Sequence, residues 1–261
     1  VSLELHNFRI YEHVELEPDP HLNLIHGANA SGKTTFLEAI HLLGTGRSFR
    51  TAQIEQLRRN GTPSLGVSGK LHKEGGETVR LGLKHSIEGR RVNINGLEQK
   101  LASNLAQHLP LQIISPDTHY DFQQNAKHRR AVLDWGLFHV EPDFSSLWSR
   151  YQRILLQRNA ALKNHGQIKA RFVWDEELVE TGEKLQAARA RLIAHLLPQY
   201  RACCQQLMGE NHQVELILEP GWESGNSFGE NLRQDRARDS ARGFTHSGPH
   251  RADLQINLNA Q

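Results

Sequence analysis

Residues Gly27 to Thr34, Gly-Ala-Asn-Ala-Ser-Gly-Lys-Thr, have the composition and spacing of a loop built to hold phosphate, GxxxxGK[ST]. Gly27 and Gly32 carry no Cβ, so the backbone can turn tightly and approach phosphate oxygens. Successive N–H groups then point inward as an anion nest. Lys33 supplies a cation for the β- and γ-phosphates, and Thr34 offers Mg²⁺ the hard oxygen ligand it prefers. Ala28, Asn29, Ala30, Ser31 and Thr35 complete the candidate nucleotide contacts, with Asn29 and Ser31 acting mainly through backbone donors.

Such a loop needs a strand before it and a helix after it. Leu22, Leu24 and Ile25 form a short apolar run, read as a buried strand, and Phe36, Leu37, Ile40 and Leu43 recur at helical spacing. A helix starting at the phosphates adds its N-terminal partial charge to the site. Upstream, residues 1–18 read as two strands. Downstream, Gly44 to Thr51 is a polar loop with two arginines, Ile54 to Arg59 a short helix, and residues 64–96 an antiparallel meander whose apolar residues alternate around Glu74-Gly75-Gly76 and Asn95-Gly96. Leu97 to Leu109 reads as helix and Leu111 to Ile114 as a short buried strand. From Arg129 to Met208 the pattern is helical, two long helices joined near Gly166 as an antiparallel hairpin. Val214 to Leu218 returns to strand, Gly229 to Arg242 reads as one charged helix, Phe244 opens a strand-like stretch, and Leu254 to Leu258 alternates as another strand.

The chain has 261 residues and a formal net charge of +2, so a nucleic-acid surface must be a local patch and not a global field. No apolar run approaches the ~20 residues of a membrane span, and no secretory signal is legible. Cys203 and Cys204 are adjacent, with no disulfide framework, which suits a reducing cytosol. His246 and His250 are spaced H-x3-H, but Gly248 and Pro249 keep them off one helix face and no paired cysteines precede them, so they are not read as zinc ligands.

A phosphate loop implies a nucleoside triphosphate and no particular reaction. Hydrolysis needs a second, carboxylate-bearing strand to hold Mg²⁺ and orient water. Neither Leu133-Asp134, inside a helical segment, nor Ile114-Ser-Pro-Asp117, interrupted by proline, fits that description.

Several further motifs resemble the RecF family of the SMC/Rad50-like ABC ATPases. They are Leu5-His-Asn-Phe-Arg9, the phosphate loop itself, Gly46-Arg-Ser-Phe-Arg50, Pro116-Asp117 followed by Arg129-Arg-Ala-Val-Leu-Asp134, and Thr245-x-x-Gly248-Pro249-His250-Arg251-x-Asp253. The sequence departs from the family at Ala30, where glycine is frequent, and around Asp121, Gln124 and Ala126. The resemblance implies an α/β fold, a P-loop (ABC/SMC-type) nucleotide-binding lobe with an antiparallel meander and an inserted helical lobe. It divides as 1–115 ATP-binding lobe, 116–212 helical lobe and 213–261 return to the ATP-binding lobe. The family continues into a signature helix, a Mg²⁺-binding carboxylate strand and a switch loop, so the chain is expected to be a C-terminally truncated member, with weak ATP binding and no measurable hydrolysis alone.

The same resemblance implies ATP and Mg²⁺ as cofactors, an ATP-dependent homodimer when complete, a RecR-type mediator as partner and a cytoplasmic location. The implied function is binding of single-stranded, double-stranded or gapped DNA without sequence specificity, and help in loading recombinase during recombinational repair. Arg9 is placed near the nucleotide, against the alternative of a surface arginine. Gln112 is a candidate sensor of Mg²⁺ and its water, against that of an ordinary strand residue. DNA phosphates are assigned to Arg47, Arg50, Arg58, Arg59, Lys127, Arg129 and Arg130. For Arg129 and Arg130 the alternative is structural, guanidinium groups tied to carboxylates such as Asp117 or Asp134. Other readings are a nuclease-associated SMC-class ATPase, a P-loop small-molecule kinase and an inactive nucleotide-binding fragment.

Overall fold

Alternation of apolar and polar residues makes the first sheet. The computed structural model describes residues 1–73, 75–163, 172–209 and 212–260. The expected linker around Gly166 and the turn residue Glu74 lie outside them. The chain divides into two units, Val1–Ile113 and Ile114–Gln261.

In the first unit β1 (Ser2–Phe8), β2 (Tyr11–Leu16), β3 (Ser64–His72), β4 (Thr78–Ser86), β5 (Gly89–Ile94) and β6 (Leu97–Gln99) form one antiparallel sheet in the order β2-β1-β3-β4-β5-β6. Leu3, Leu5, Leu65, Val67, Val79, Leu81, Leu83 and Val92 fall on one face and are buried. That face is covered by α1 (Lys33–Thr45), which turns Phe36, Ala39, Leu42 and Leu43 onto it. Each such side chain contributes about 1.5–3 kcal/mol on leaving water, so a one-residue slip of register would be prohibitive. The helix ends at Gly46, whose φ of 69° lets its N–H return to the Leu42 carbonyl at 2.8 Å.

Leu22 to Ile25 is not a strand. Leu22 and Leu24 are exposed, and no described residue pairs with the segment. Local bonds hold it instead: Asp19 Oδ1 accepts from the amides of His21 and Leu22, and Asn23 Oδ1 accepts from the Asp19 amide. Short polar side chains here satisfy the backbone in place of a ladder. Leu111 to Ile114 likewise forms no strand with any described residue, and Ile114 is exposed. The expected helix over 97–109 resolves into β6 and the single turn α2 (Ser103–Ala106), and that over 54–59 into a 3-10 turn, Ile54–Leu57.

The second unit begins with α3 (Pro116–Gln124), whose capping box pairs Ser115 with Thr118. Then come α4 (Ala126–Val140), α5 (Phe144–Lys163) and α6 (Asp175–Met208). Near the end of α5 Arg158 meets Asp175 at the start of α6, and earlier Arg150 meets Glu177, as an antiparallel hairpin requires. Leu133, Leu137, Tyr151, Ile154, Leu178, Leu185 and Leu192 form the core. β7 (His212–Glu219) and β8 (Asp253–Ala260) pair antiparallel as a separate ribbon, and Leu254 joins the helical core. The single charged helix expected over 229–242 is two, α7 (Phe228–Gln234) and α8 (Arg236–Arg242), which break at Asp235. Phe244 opens no strand, because the chain there turns toward the Thr245 to Asp253 segment described below.

A phosphate loop braced by a buried glutamate

The loop lies open at the start of α1. Gly27 has φ 148°, Ala30 φ 63° and Gly32 φ 98°. Gly32 caps the helix without a side chain, so the amides of Lys33, Thr34 and Thr35 have no intrahelical acceptor. The Phe36 amide is the first to bond back, to the Gly32 carbonyl at 3.0 Å. Residues 27–31 and Thr34 are exposed. Lys33 folds over the loop and donates from Nζ to the Gly27 and Ala28 carbonyls, both at 2.8 Å. A Cβ at Gly32 would stand 2.4 Å from Tyr11 Oη and 2.7 Å from Ile10 Cδ1. Glycine is required there on two counts, the positive φ and the close approach of the β1–β2 turn.

That turn is fastened to α1 through Glu38, a residue the sequence reading missed. Glu38 is fully buried and accepts from Arg9 Nε at 2.7 Å, Arg9 Nη2 at 2.9 Å and Ser48 Oγ at 2.5 Å, with Arg50 Nη1 at 3.5 Å. Burial alone would raise its carboxyl, but the bonds from Arg9 and Ser48 hold it below the usual glutamate value. Its one signal in sequence is a carboxylate on the helix stripe that also carries Phe36, Ala39 and Leu42. Arg9 itself has φ 52°, with its amide bonded to the Leu57 carbonyl at 2.7 Å. The Arg47 loop is pinned by His41 Nδ1, 2.8 Å from the Arg47 carbonyl.

The sequence-expected arginines divide. Arg47 and Arg58 are exposed, and Arg50 is exposed beside Glu38. Arg59 donates to the Ile10 carbonyl at 3.0 Å and faces Glu12 at 3.5 Å. Gln112 is exposed. In the second unit Lys127 is exposed, whereas Arg129 grips Asp253 with two bonds of 2.8 Å and donates to the carbonyls of Phe122 and Gln123. Arg130 donates to the Ala252 carbonyl. These two guanidinium groups therefore fasten the second unit internally, with Asp253 as the carboxylate partner where Asp117 or Asp134 was expected. Asp134 is taken by Arg189 at 2.8 Å.

The Thr245 to Asp253 segment is a clamp on three helices. Thr245 Oγ1 accepts from Arg158 of α5 and donates to Asn159, the Pro249 carbonyl accepts from Arg189 of α6, and Asp253 and Ala252 hold α4. Tyr151 Oη lies 2.7 Å from His250 Nδ1, and His250 Nε2 lies 3.2 Å from the Thr245 carbonyl. The imidazole therefore donates through Nε2 and accepts the phenol proton at Nδ1. Burial pushes His250 down to about 4. His246 is held by Asp239 at 2.8 Å.

A second basic surface emerges only from strand register. On the outer face of the sheet, away from α1, exposed Lys70 lies directly opposite Arg80 and exposed Lys84 opposite Arg91. Only Arg91 has a carboxylate partner among the described residues, Glu88 at 2.7 Å. Like charges directly opposed across strands are unfavourable without a counter-charge.

No described helix is long and apolar enough to cross a membrane. A family model described as an AAA domain matches residues 2–192. The DNA replication and repair protein RecF of Thioalkalivibrio sulfidiphilus is 38% identical over 99% of this chain and 72% of its own length. That of Pectobacterium atrosepticum is 38% identical over 97% of this chain and 70% of its own. Among solved structures, the recombination mediator protein RecF–ATP of the RecFOR pathway aligns with a TM-score of 0.86 at 24% identity, over 99% of this chain and 72% of that one. The Smc head domain of Pyrococcus furiosus aligns at 0.56 and 15% identity, over 99% of this chain and 71% of that one. These likenesses establish the α/β, P-loop ABC/SMC-type head as the fold. With RecF proteins matched at 38% identity along nearly its whole length, the chain belongs to the RecF family of DNA replication and repair proteins.

Proposed function

We propose that this chain binds ATP with Mg²⁺ on the 27–35 loop and uses that binding to control its hold on DNA during recombinational repair. The observation that carries the reading is the open loop at the start of α1, with Lys33 poised over it. The donor set fits the group: unpaired amides and the helix N-terminus for phosphate, the Lys33 ammonium for its outer oxygens, and an exposed Thr34 hydroxyl for a hard cation. Bound Mg²⁺ would neutralise phosphate charge there, with Gln112 as the candidate sensor of its water. Arg9 serves the site by positioning, since Glu38 holds its guanidinium and its turn carries Ile10 and Tyr11 onto Gly32.

In this reading residues 1–115 are the ATP-binding lobe and 116–212 the helical lobe, while residues 213–261, expected to return to the ATP-binding lobe, belong to the second unit, where Leu254 joins the helical core. ATP joins two copies of the complete protein, a RecR-type mediator is the partner, and the site of action is the cytoplasm. DNA contacts are sequence-independent and go to phosphate, whether single-stranded, duplex or gapped. Arg47, Arg50 and Arg58 are the exposed candidates, Arg59 and Lys127 supplementary ones, and Arg129 and Arg130 the least available because their donors are engaged. Lys33→Met tests the nucleotide site. ATP titration of the variant should show binding weakened at least ~10-fold, the loss of about 1.4 kcal/mol, with an unchanged circular dichroism spectrum. Equal affinity in the two proteins overturns the assignment.

A further inference from the structure

One group of metal-ligating side chains converges among the described residues, outside the phosphate loop, on the outer face of the β1–β2 hairpin. Glu4 and His6 are two apart on β1 and so share a face, and His13 on β2 stands directly opposite His6 in the register. The imidazole Nδ1 atoms lie 3.1 Å apart, with ring centroids at 4.4 Å. Glu4 Oε1 is 2.8 Å from His6 Nε2, and one ligand atom from each residue can be chosen so that all lie within 4.8 Å of one another.

Ligands about 2.1 Å from a tetrahedral ion are about 3.4 Å apart. The two imidazoles already stand closer than that, and a Glu4 oxygen lies within 4.8 Å of a ring nitrogen on each. Glu4 is oriented from behind by Ser68 on β3, whose hydroxyl donates to Oε2 at 3.2 Å, the kind of outer bond that fixes a ligating carboxylate. Glu15 lies directly opposite Glu4. A carboxylate pair therefore sits beside an imidazole pair on neighbouring rungs, an arrangement unfavourable by itself and relieved by a cation.

We propose that Glu4, His6 and His13 form a binding site for a borderline divalent transition metal of the zinc class. Two imidazoles and one carboxylate suit Zn²⁺, Ni²⁺ or Cu²⁺ and discriminate against Mg²⁺ and Ca²⁺, which take oxygen ligands. The ion takes the place of the proton between the two rings, and further positions face solvent. It bridges β1 to β2, the hairpin whose turn places Ile10 and Tyr11 against Gly32, so its mechanical effect is to stiffen the wall of the phosphate loop.

The test uses the full chain and Zn²⁺ alone, titrated in competition with a chelating indicator, with Mg²⁺ as the control ion. The parent should show one tight site that Mg²⁺ does not fill, perturbing the imidazole resonances of His6 and His13 first. His6→Ala and His13→Ala should each weaken that site by at least about tenfold, since even an outer-shell partner is worth that much. All three residues are at the surface, so these variants keep the fold. Zn²⁺ should also slow amide exchange at Ile10 and Tyr11 in the parent and leave the double variant His6→Ala/His13→Ala unchanged. Equal Zn²⁺ affinity in parent and double variant overturns the proposal, as does a parent whose hairpin exchange Zn²⁺ fails to slow.

Discussion

Replacing Glu38 by alanine should cost the first unit more than any surface change to the phosphate loop itself. The carboxylate is fully buried and receives two bonds from Arg9, one from Ser48 and a longer contact from Arg50. Removing one partner of a buried ion pair costs roughly 3–5 kcal/mol, because the other charge stays desolvated. The Arg9 side chain retains 23% exposure and recovers some hydration, so the expected loss is at the lower end, about 3 kcal/mol. It should concentrate in β1, its turn and α1, and ATP affinity should fall with it as Ile10 and Tyr11 lose their fixed place beside Gly32. Because the chain has two units, a single unfolding midpoint would mix them. Native-state amide exchange read by peptide resolves the first unit alone. The pH dependence follows from the depressed carboxyl: its contribution is complete above the unfolded value of 4.5 and disappears as pH falls through the lower folded value. Glu38→Gln should remove that acid sensitivity. A loss below about 1 kcal/mol in the slowest amides of β1 and α1 would refute the claim that Glu38 fastens the turn to the helix.

Three further outcomes are expected. Ala30 holds φ 63°, so Ala30→Gly should stabilise the first unit by about 0.5–1 kcal/mol while Ala30→Val destabilises it, as native-state amide exchange in β1 and α1 of both would reveal. His250, folded at about 4 and unfolded near 6.5, contributes stability that is complete above 6.5 and falls by about 3 kcal/mol as pH drops to 4, since only the unfolded state takes up the proton in that window; exchange in the second unit should show that slope, and His250→Gln should flatten it. Arg47→Ala with Arg50→Ala should make the salt dependence of duplex binding shallower by about 2 in log–log slope, equally for unrelated sequences; if Lys84→Ala with Arg91→Ala changes the slope instead, the outer sheet face is the DNA surface.

What could be read from the sequence follows the range of the interactions. The meander was legible because alternation over Leu65 to Leu71 and Val79 to Leu83 reports burial residue by residue, and each turn is marked locally by glycine. The long helices were legible for the same reason at a period near 3.6. Leu22 to Ile25 and Leu111 to Ile114 were misread because an apolar run reports hydrophobicity and not the presence of a pairing strand, and around Leu22 the Asp19 and Asn23 side chains already satisfy the backbone. The β7–β8 ribbon joins His212–Glu219 to Asp253–Ala260 across two helices, a pairing that no local pattern encodes.

The same distinction runs through the site. Gly27 to Thr34 is contiguous, so its chemistry could be read in order, and the structure adds the conformations that the glycines permit. Glu38 could not be read, because its partners Arg9, Ser48 and Arg50 are charged or polar residues that look equally suited to solvent or to DNA. Arg129 and Arg130 read equally as DNA contacts or as structural ties, and only the fold shows that Asp253 and the Ala252 carbonyl meet their donors. Basic residues in this chain therefore separate by whether a buried acceptor meets them, and that depends on tertiary register. Lys70, Arg80, Lys84 and Arg91 make the complementary case: scattered over three strands, they become a surface only when the register sets them face to face. Lys70 and Arg80 meet with no carboxylate partner among the described residues, whereas Glu88 partly offsets Arg91 opposite Lys84.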